Sequence, residues 1–358
     1  MLETSDGHDH YDNDDRHDRH KIKHENLLNE YKGGLFEYLV AQSLARIYRV
    51  EKSFITNIDP ALNLLLVNYE CYIRNNDAEL LRELPMLAQE ATRELLQHIL
   101  QHISCERCLS PSGVYLVGRG VAGSEEKGAV DEADILLQFD NGDGEKYSLP
   151  ISVKLCKHNS FVNTKNAGVQ SFVVKYFPFQ GAAQEQEELN QRLKNSFSQL
   201  FEELGEWPVD AGYSELPGEL PPRMQERVRC YYHEVISEVY HILSNFYQRD
   251  YKLFVASLYP LCGLTSSKLL QLICHHGVEH GKRYIFKGAK VIDYDSLVLF
   301  SQQEQQNIKD IKKIKILELK DGLSSFEIVF PFFVLQIRVK PMNRFTLPGL
   351  KINCSVKY

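Results

Sequence analysis

Two alternating apolar runs, Ala133–Phe139 and Tyr147–Leu155, stand on either side of Asn141-Gly142-Asp143-Gly144. Period-two alternation marks strands that bury one face, and a Gly/Asn/Asp-rich turn between two such runs predicts a β-hairpin. The hairpin excludes an all-helical chain and fixes where charged side chains can go. Asp134 must point away from Ile135, Leu137 and Phe139. On the partner strand Ser152 and Lys154 share one face, while Ile151, Val153 and Leu155 share the other.

Around the hairpin the period changes. Phe36, Leu39, Val40, Ser43, Leu44 and Ile47 follow helical spacing, so a helix is predicted from Glu25 to about Arg49. Further helices are predicted over 60–74, 78–104, 182–206 and 223–248, continuing through 250–276. Short strands are predicted at Val114–Val117, Arg283–Phe286, Ile314–Leu319, Phe326–Val339 and Leu350–Val356. The stretch Trp207–Pro222 is rich in Pro and Gly and reads as a loop. Helices, a strand block, helices and then strands give a mixed α/β (α+β) plan rather than a regular βαβ alternation. The expected division is a disordered His/Asp-rich tail over 1–24, a core over 25–180, a helical region over 181–282 and a basic β-rich region over 283–358.

Charge is distributed unevenly along the 358 residues. The whole chain carries −7, residues 1–24 carry −3 and residues 305–358 carry +6. A basic end on an acidic body suits a protein that meets a polyanion with one face; an ordinary solvated surface is the bland alternative. No apolar run approaches the roughly 20 residues that cross a bilayer. The first residues hold no apolar leader, and eight cysteines without one are expected to be reduced thiols in a prokaryotic cytoplasm.

The chemistry concentrates at three positions. Asp134 and Lys154 fall on hairpin faces that can meet. Glu37 lies on a helix beside the buried ridge of Ala41, Leu44 and Ala45, where a carboxylate needs a partner. Gly33 and Gly34 before it permit close backbone approach. Mg²⁺ takes oxygen ligands and is commonly held by one or two carboxylates, with waters and phosphate oxygens completing the shell. Asp134 and Glu37 supply that number, and the Val153 carbonyl is a further oxygen. Such an ion polarises a phosphoryl oxygen and lowers the pKa of a bound water, while Lys154 offsets developing charge. Glu132 shares the Asp134 face and is a secondary candidate; Asp131 lies nearer the strand start.

This arrangement resembles the PD-(D/E)xK nuclease superfamily, the restriction-endonuclease-like fold, over roughly residues 30–180. That family has an acid on one strand and an acid-x-lysine on the next, with a further Glu on a preceding helix in many branches. Asp134 matches the first acid and Lys154 the lysine. Ser152 occupies the place of the second acid, a departure from the pattern, and Gly33-Gly34-Leu35-Phe36-Glu37 looks like the helix that supplies the missing carboxylate. The resemblance implies Mg²⁺-dependent cleavage of double-stranded DNA, with Mn²⁺ able to substitute, most often by a homodimer, as in Type II restriction enzymes. A nuclease subunit of a mobile element, or a non-catalytic DNA-binding scaffold with a degenerate site, are the rival readings.

Other signals are weaker. Lys157 and Lys165, just past the Lys154 strand, and Arg344 in the basic end are candidate phosphate contacts, which position a duplex without reading its sequence. His158 reads as a solvated loop residue first and a proton-transfer group second. Cys105-Glu106-Arg107-Cys108 needs two more ligands for a zinc site; Cys274, His275, His276 and His280 qualify only if the fold converges them. Val117-Gly118-Arg119-Gly120-Val121-Ala122-Gly123 lacks the Gly-Lys-Ser/Thr ending of a phosphate-binding loop. The aromatic stripe of Tyr231, Tyr232, Tyr240, Phe246, Tyr247 and Tyr251 reads as core or interface.

Overall fold

A computed structural model describes residues 11–102, 111–117, 133–140, 146–204, 222–263, 269–293, 314–331, 333–341 and 349–357. The helices are α1 (Tyr11–Ile47), α2 (Glu51–Thr56), α3 (Pro60–Asn76), α4 (Ala78–His102), α5 (Phe172–Tyr176), α6 (Ala182–Leu204), α7 (Pro222–Arg249) and α8 (Tyr251–Leu258). The strands are β1 (Pro111–Leu116), β2 (Ile135–Asp140), β3 (Lys146–Lys157), β4 (Val162–Gly168), β5 (Leu270–Glu279), β6 (Lys282–Ile292), β7 (Lys315–Ile316), β8 (Ser325–Val329), β9 (Val334–Pro341) and β10 (Leu350–Lys357). The fold is mixed α+β. It divides into two compact units, Met1–His158 with Thr265–Ser296, and Asn159–Leu264 with Leu297–Tyr358.

The first unit is built on a sheet of order β1-β2-β3-β5-β6. The expected β2–β3 pairing forms, antiparallel with Ile135 opposite Ile151 and Leu137 opposite Leu149. Helices α1 and α4 cover one face. Phe36, Val40 and Leu44 from α1 and Leu80, Leu84, Leu87, Ala91 and Leu95 from α4 bury against Leu137, Ile151, Val153 and Leu272. Helix α1 starts at Tyr11, ahead of the expected Glu25, and neither Pro nor Gly interrupts the chain from there to Lys32.

The predicted helix through 250–276 is corrected: α8 ends at Leu258 and a strand, β5, begins at Leu270. Leu269 to Cys274 is buried at every position. A strand buried on both faces loses its alternation, and its apolar run then looks the same as that of a buried helix. β5 runs parallel to β3, with Lys154 opposite Ile273, a pairing that needs a long crossover. The crossover makes each unit discontinuous in sequence.

In the second unit the sheet order is β4-β10-β9-β8-β7. The strand predicted over Phe326–Val339 is two strands, β8 and β9, paired antiparallel with Val329 opposite Val334. The exposed Pro331 lies in their connection, since proline cannot donate to a ladder. Tyr231, Tyr232 and Phe246 of the aromatic stripe are buried in core. Phe246 stacks on Phe179 at 4.3 Å between ring centres and meets Phe177 at 6.0 Å.

Candidate active site

β2 begins at Ile135, and the residue before it does not continue as an ordinary ladder partner. The Asp134 amide donates to the Ile151 carbonyl at 2.9 Å. Its side chain then accepts the next available β3 amide, Val153 N–H, at 2.6 Å. A strand end that leaves a neighbour's amide unpaired must satisfy it in another way, and a short carboxylate does so here.

The same carboxylate oxygen gathers two more donors. Ser152 Oγ donates to Asp134 Oδ2 at 3.2 Å and Lys154 Nζ at 3.1 Å. Ser152 and Lys154 thus reach Asp134 from one face of β3, while Val153 buries its side chain in the α1–α4 core. The Asp134 and Lys154 side chains keep 21% and 31% of their exposure, so a ligand can approach this pair. Ser152 retains 5% and cannot meet solvent freely. All three donors converge on Oδ2; among the described residues none reaches Oδ1.

Glu37 lies on α1 and lines a small cavity with Gly34, Tyr38, Leu66, Tyr69, Leu116 and Val117. Val117 ties that cavity to the hairpin, because its amide donates to the Asp134 carbonyl at 3.1 Å. Glu37 and Asp134 are thus linked through Val117, which lines the Glu37 cavity and pairs with the Asp134 backbone. Val153, expected to offer its carbonyl, meets Asp134 through its amide.

An oxygen-seeking cation fits this donor set in part. Among the described residues no donor reaches one oxygen of Asp134, and Glu37 is the other expected carboxylate. Among the described residues no group of three or more His, Cys, Asp or Glu could hold a metal ion. A hard cation that keeps most of its waters needs no such group.

The remaining candidates scatter. Lys157 ends β3, exposed and opposite His276. Lys165 lies opposite Cys354, on the face of the second sheet that carries its core. His158 is exposed, its ring 5.9 Å from that of His275. Cys274, His275 and His276 are consecutive on β5, so their side chains alternate between faces and cannot close on one ion. Glu132, Asp131, Arg344, Cys105, Cys108 and the Gly118–Gly123 segment lie outside the described residues.

Sequence reasoning missed a second polar cluster in the first unit. Asp77 caps α4 by accepting the Leu80 amide at 3.1 Å, takes Arg283 at 2.9 Å on the same oxygen, and takes the Tyr284 hydroxyl on the other. Glu79 adds a 2.9 Å pair to Arg283. The signal was Asp77 just ahead of a helical run; its partners Arg283 and Tyr284 fall in the strand expected at Arg283–Phe286, but the packing of α4 on that strand is not encoded in spacing.

No protein-family model matches the chain, and neither does any curated protein. Among solved structures, a match is the crystal structure of restriction endonuclease MspI in complex with its cognate DNA. It shows 10% identity over 87% of this chain and 97% of that one, with a TM-score of 0.35. At that TM-score the likeness adds nothing to the reading of the site. Among the described residues no helix is long and apolar enough to cross a membrane.

Proposed function

We propose that the chain is a Mg²⁺-dependent DNA endonuclease of the restriction or related anti-phage kind, working as a homodimer. The observation that carries this reading is the convergence of Ser152, the Val153 amide and Lys154 on one oxygen of Asp134. A carboxylate fixed by three donors, with no described residue donating to its other oxygen and a lysine beside it, suits phosphodiester hydrolysis.

Asp134 and Glu37 are the residues that would hold Mg²⁺, with Mn²⁺ as substitute. When bound there, such an ion would offer charge to a phosphate oxygen and lower the pKa of a water. The chain's own work is orientation. Ser152 and the Val153 amide lock the Asp134 rotamer, so its other oxygen keeps one direction without reorganising during reaction. Lys154 sets an ammonium where the scissile phosphate gains charge and donates to the attacking water. Lys157 and Arg344 are proposed phosphate contacts, which give affinity and register; Lys165, opposite the buried Cys354 on the core face, is not among them.

Incubation of the full chain with unmethylated phage or plasmid DNA and Mg²⁺ tests the reading. Discrete fragments, absent without the metal and absent for Asp134→Ala protein, are expected. Undiminished cutting by Asp134→Ala protein removes the assigned site. No cutting by the wild-type chain favours a second reading, a DNA-binding scaffold with a degenerate site. The observation behind that reading is Ser152, a buried hydroxyl in the second acid's place; calorimetry showing no uptake of Mg²⁺ or Mn²⁺ would support it.

A further inference from the structure

The sheet of the second unit has one apolar and one polar face. Ile352, Cys354 and Val356 of β10 and Leu335, Ile337 and Val339 of β9 are buried together. Their neighbours point the other way. On β10 these are Lys351, Asn353, Ser355 and Lys357; opposite them on β9 stand Lys340, Arg338 and Gln336. On β4, Asn166 is opposite Asn353, and Asn163, past a bulge, is opposite Ser355. β4, β9 and β10 carry no acidic residue at all. On β8 the face carries one acid, Glu327, opposite Gln336.

At the centre of the polar face is a directed amide network. Asn353 retains 7% of its exposure. Its Nδ2 donates to Asn163 Oδ1 at 2.5 Å and to Asn166 Oδ1 at 2.8 Å, using both amide hydrogens. Ser355 Oγ donates to Asn353 Oδ1 at 3.0 Å. With its donors and acceptor engaged, Asn353 cannot flip without setting carbonyl against carbonyl. Asn163 and Asn166 are therefore held with their oxygens inward. Both are exposed, and no described residue takes their Nδ2 groups.

We propose that this face reads base edges in duplex DNA, with Asn163 and Asn166 as a fixed pair of amide donors and Asn353 as the residue that positions them. This deepens, and rests on, the endonuclease reading above. Three features select the ligand. Cations on Arg338, Lys340, Lys351 and Lys357 surround the amides, as a polyanion requires. Among the described residues β4 is the edge strand of the sheet, so Asn163 and Asn166 stand at its rim, where a strand edge can enter the major groove. Donors without a matching outward acceptor suit guanine, whose major-groove edge offers the acceptors N7 and O6; adenine also presents a donor that an inward-turned carbonyl cannot take.

The test is selection from a random 30-base-pair duplex pool by the full chain in Mg²⁺-free buffer, with sequencing of the bound fraction. Anisotropy titrations of the unselected pool run beside it. The wild-type chain is expected to enrich a guanine-containing motif. Asn163→Ala/Asn166→Ala protein, altered only at exposed positions, should lose about tenfold of that enrichment at one or two positions. Its salt dependence, set by the phosphate contacts, should keep the wild-type slope. Substituting 7-deazaguanine at those positions should reproduce the loss with wild-type protein. Equal enrichment by the double variant overturns the inference and leaves the endonuclease reading intact. So does wild-type binding with no enriched motif. A wild-type chain that binds no duplex at any salt concentration overturns both.

Discussion

Lys154 donates across 3.1 Å to the one oxygen of Asp134 that already holds the Val153 amide at 2.6 Å. The pair is therefore joined through the backbone of β3 as well as by charge, and Asp134 cannot turn to follow the lysine. Each residue can be removed separately. Lys154→Ala should leave Asp134 in place on Val153 and Ser152, and lower single-turnover plasmid cleavage by about 10²–10³-fold, the usual cost of one charge-stabilising donor. Asp134→Ala should abolish cleavage. Ser152→Ala removes one donor of three and should cost less than either. If Ser152→Ala proves the most damaging of the three, the division of roles among them is wrong.

Asp77 joins α4 to β6. It retains 7% of its exposure and accepts from Leu80, Arg283 and Tyr284. Asp77→Ala removes a helix cap worth about 1 kcal/mol. It also leaves the Tyr284 hydroxyl without its acceptor, at a further cost of about 1–3 kcal/mol. Urea unfolding should show a loss of about 2–4 kcal/mol, with Asp77→Asn recovering part of it, because an amide oxygen can still cap the helix. A loss under half a kcal/mol for the alanine variant would show that the cluster does not support the fold.

The hairpin and the Asp134–Lys154 meeting were legible because they are local: period two, a turn and a fixed side-chain parity determine them. Glu37 was legible only as a carboxylate beside a buried ridge. Its delivery to the Val117 corner depends on how α1 packs, which no spacing encodes. β5 was hidden because its two-sided burial erases alternation. A signal for it existed in His280-Gly281, both with positive φ, which turn Glu279 back toward Lys282 as a two-residue hairpin loop. Reading 250–276 as helix hid the strand that this turn joins to the one expected at Arg283–Phe286. The amide network on Asn353 was equally out of reach, since Asn163 and Asn166 lie nearly two hundred residues before it.

Thiol reactivity should follow burial. Cys71 and Cys230 are exposed, whereas Cys262, Cys274 and Cys354 are buried, and burial raises the pKa of each of these three. Cys156 is half-buried and pushed up to about 12, mainly by desolvation, with the Lys32 ammonium opposing. Only thiolates react readily. Brief alkylation of the native chain at pH 7.5, followed by peptide mass mapping, should label Cys71 and Cys230 ahead of Cys156, Cys262, Cys274 and Cys354. Early labelling of Cys274 would mean that the β3–β5 region opens in solution.

His276 should make the chain sensitive to acid. Burial pushes its pKa down to about 4; the Lys32 ammonium is the next cause, Lys157 and His275 act in the same direction, and a backbone hydrogen bond at Arg283 opposes them. An unfolded histidine titrates near 6.5. Between those values the unfolded chain binds the proton and the folded chain does not. The contribution to stability is therefore complete above about pH 6.5 and is lost as the pH falls toward 4. The loss is at most about 3 kcal/mol, from 1.36 kcal/mol per pKa unit. His276→Leu keeps an apolar filling of similar size and removes the titration. Unfolding free energies of wild-type and variant protein at pH 7 and pH 4.5 should show a smaller acid loss for the variant. Equal losses would mean that His276 takes up its proton in the folded chain as easily as in the unfolded one, and that the packing around β5 is looser than its burial implies.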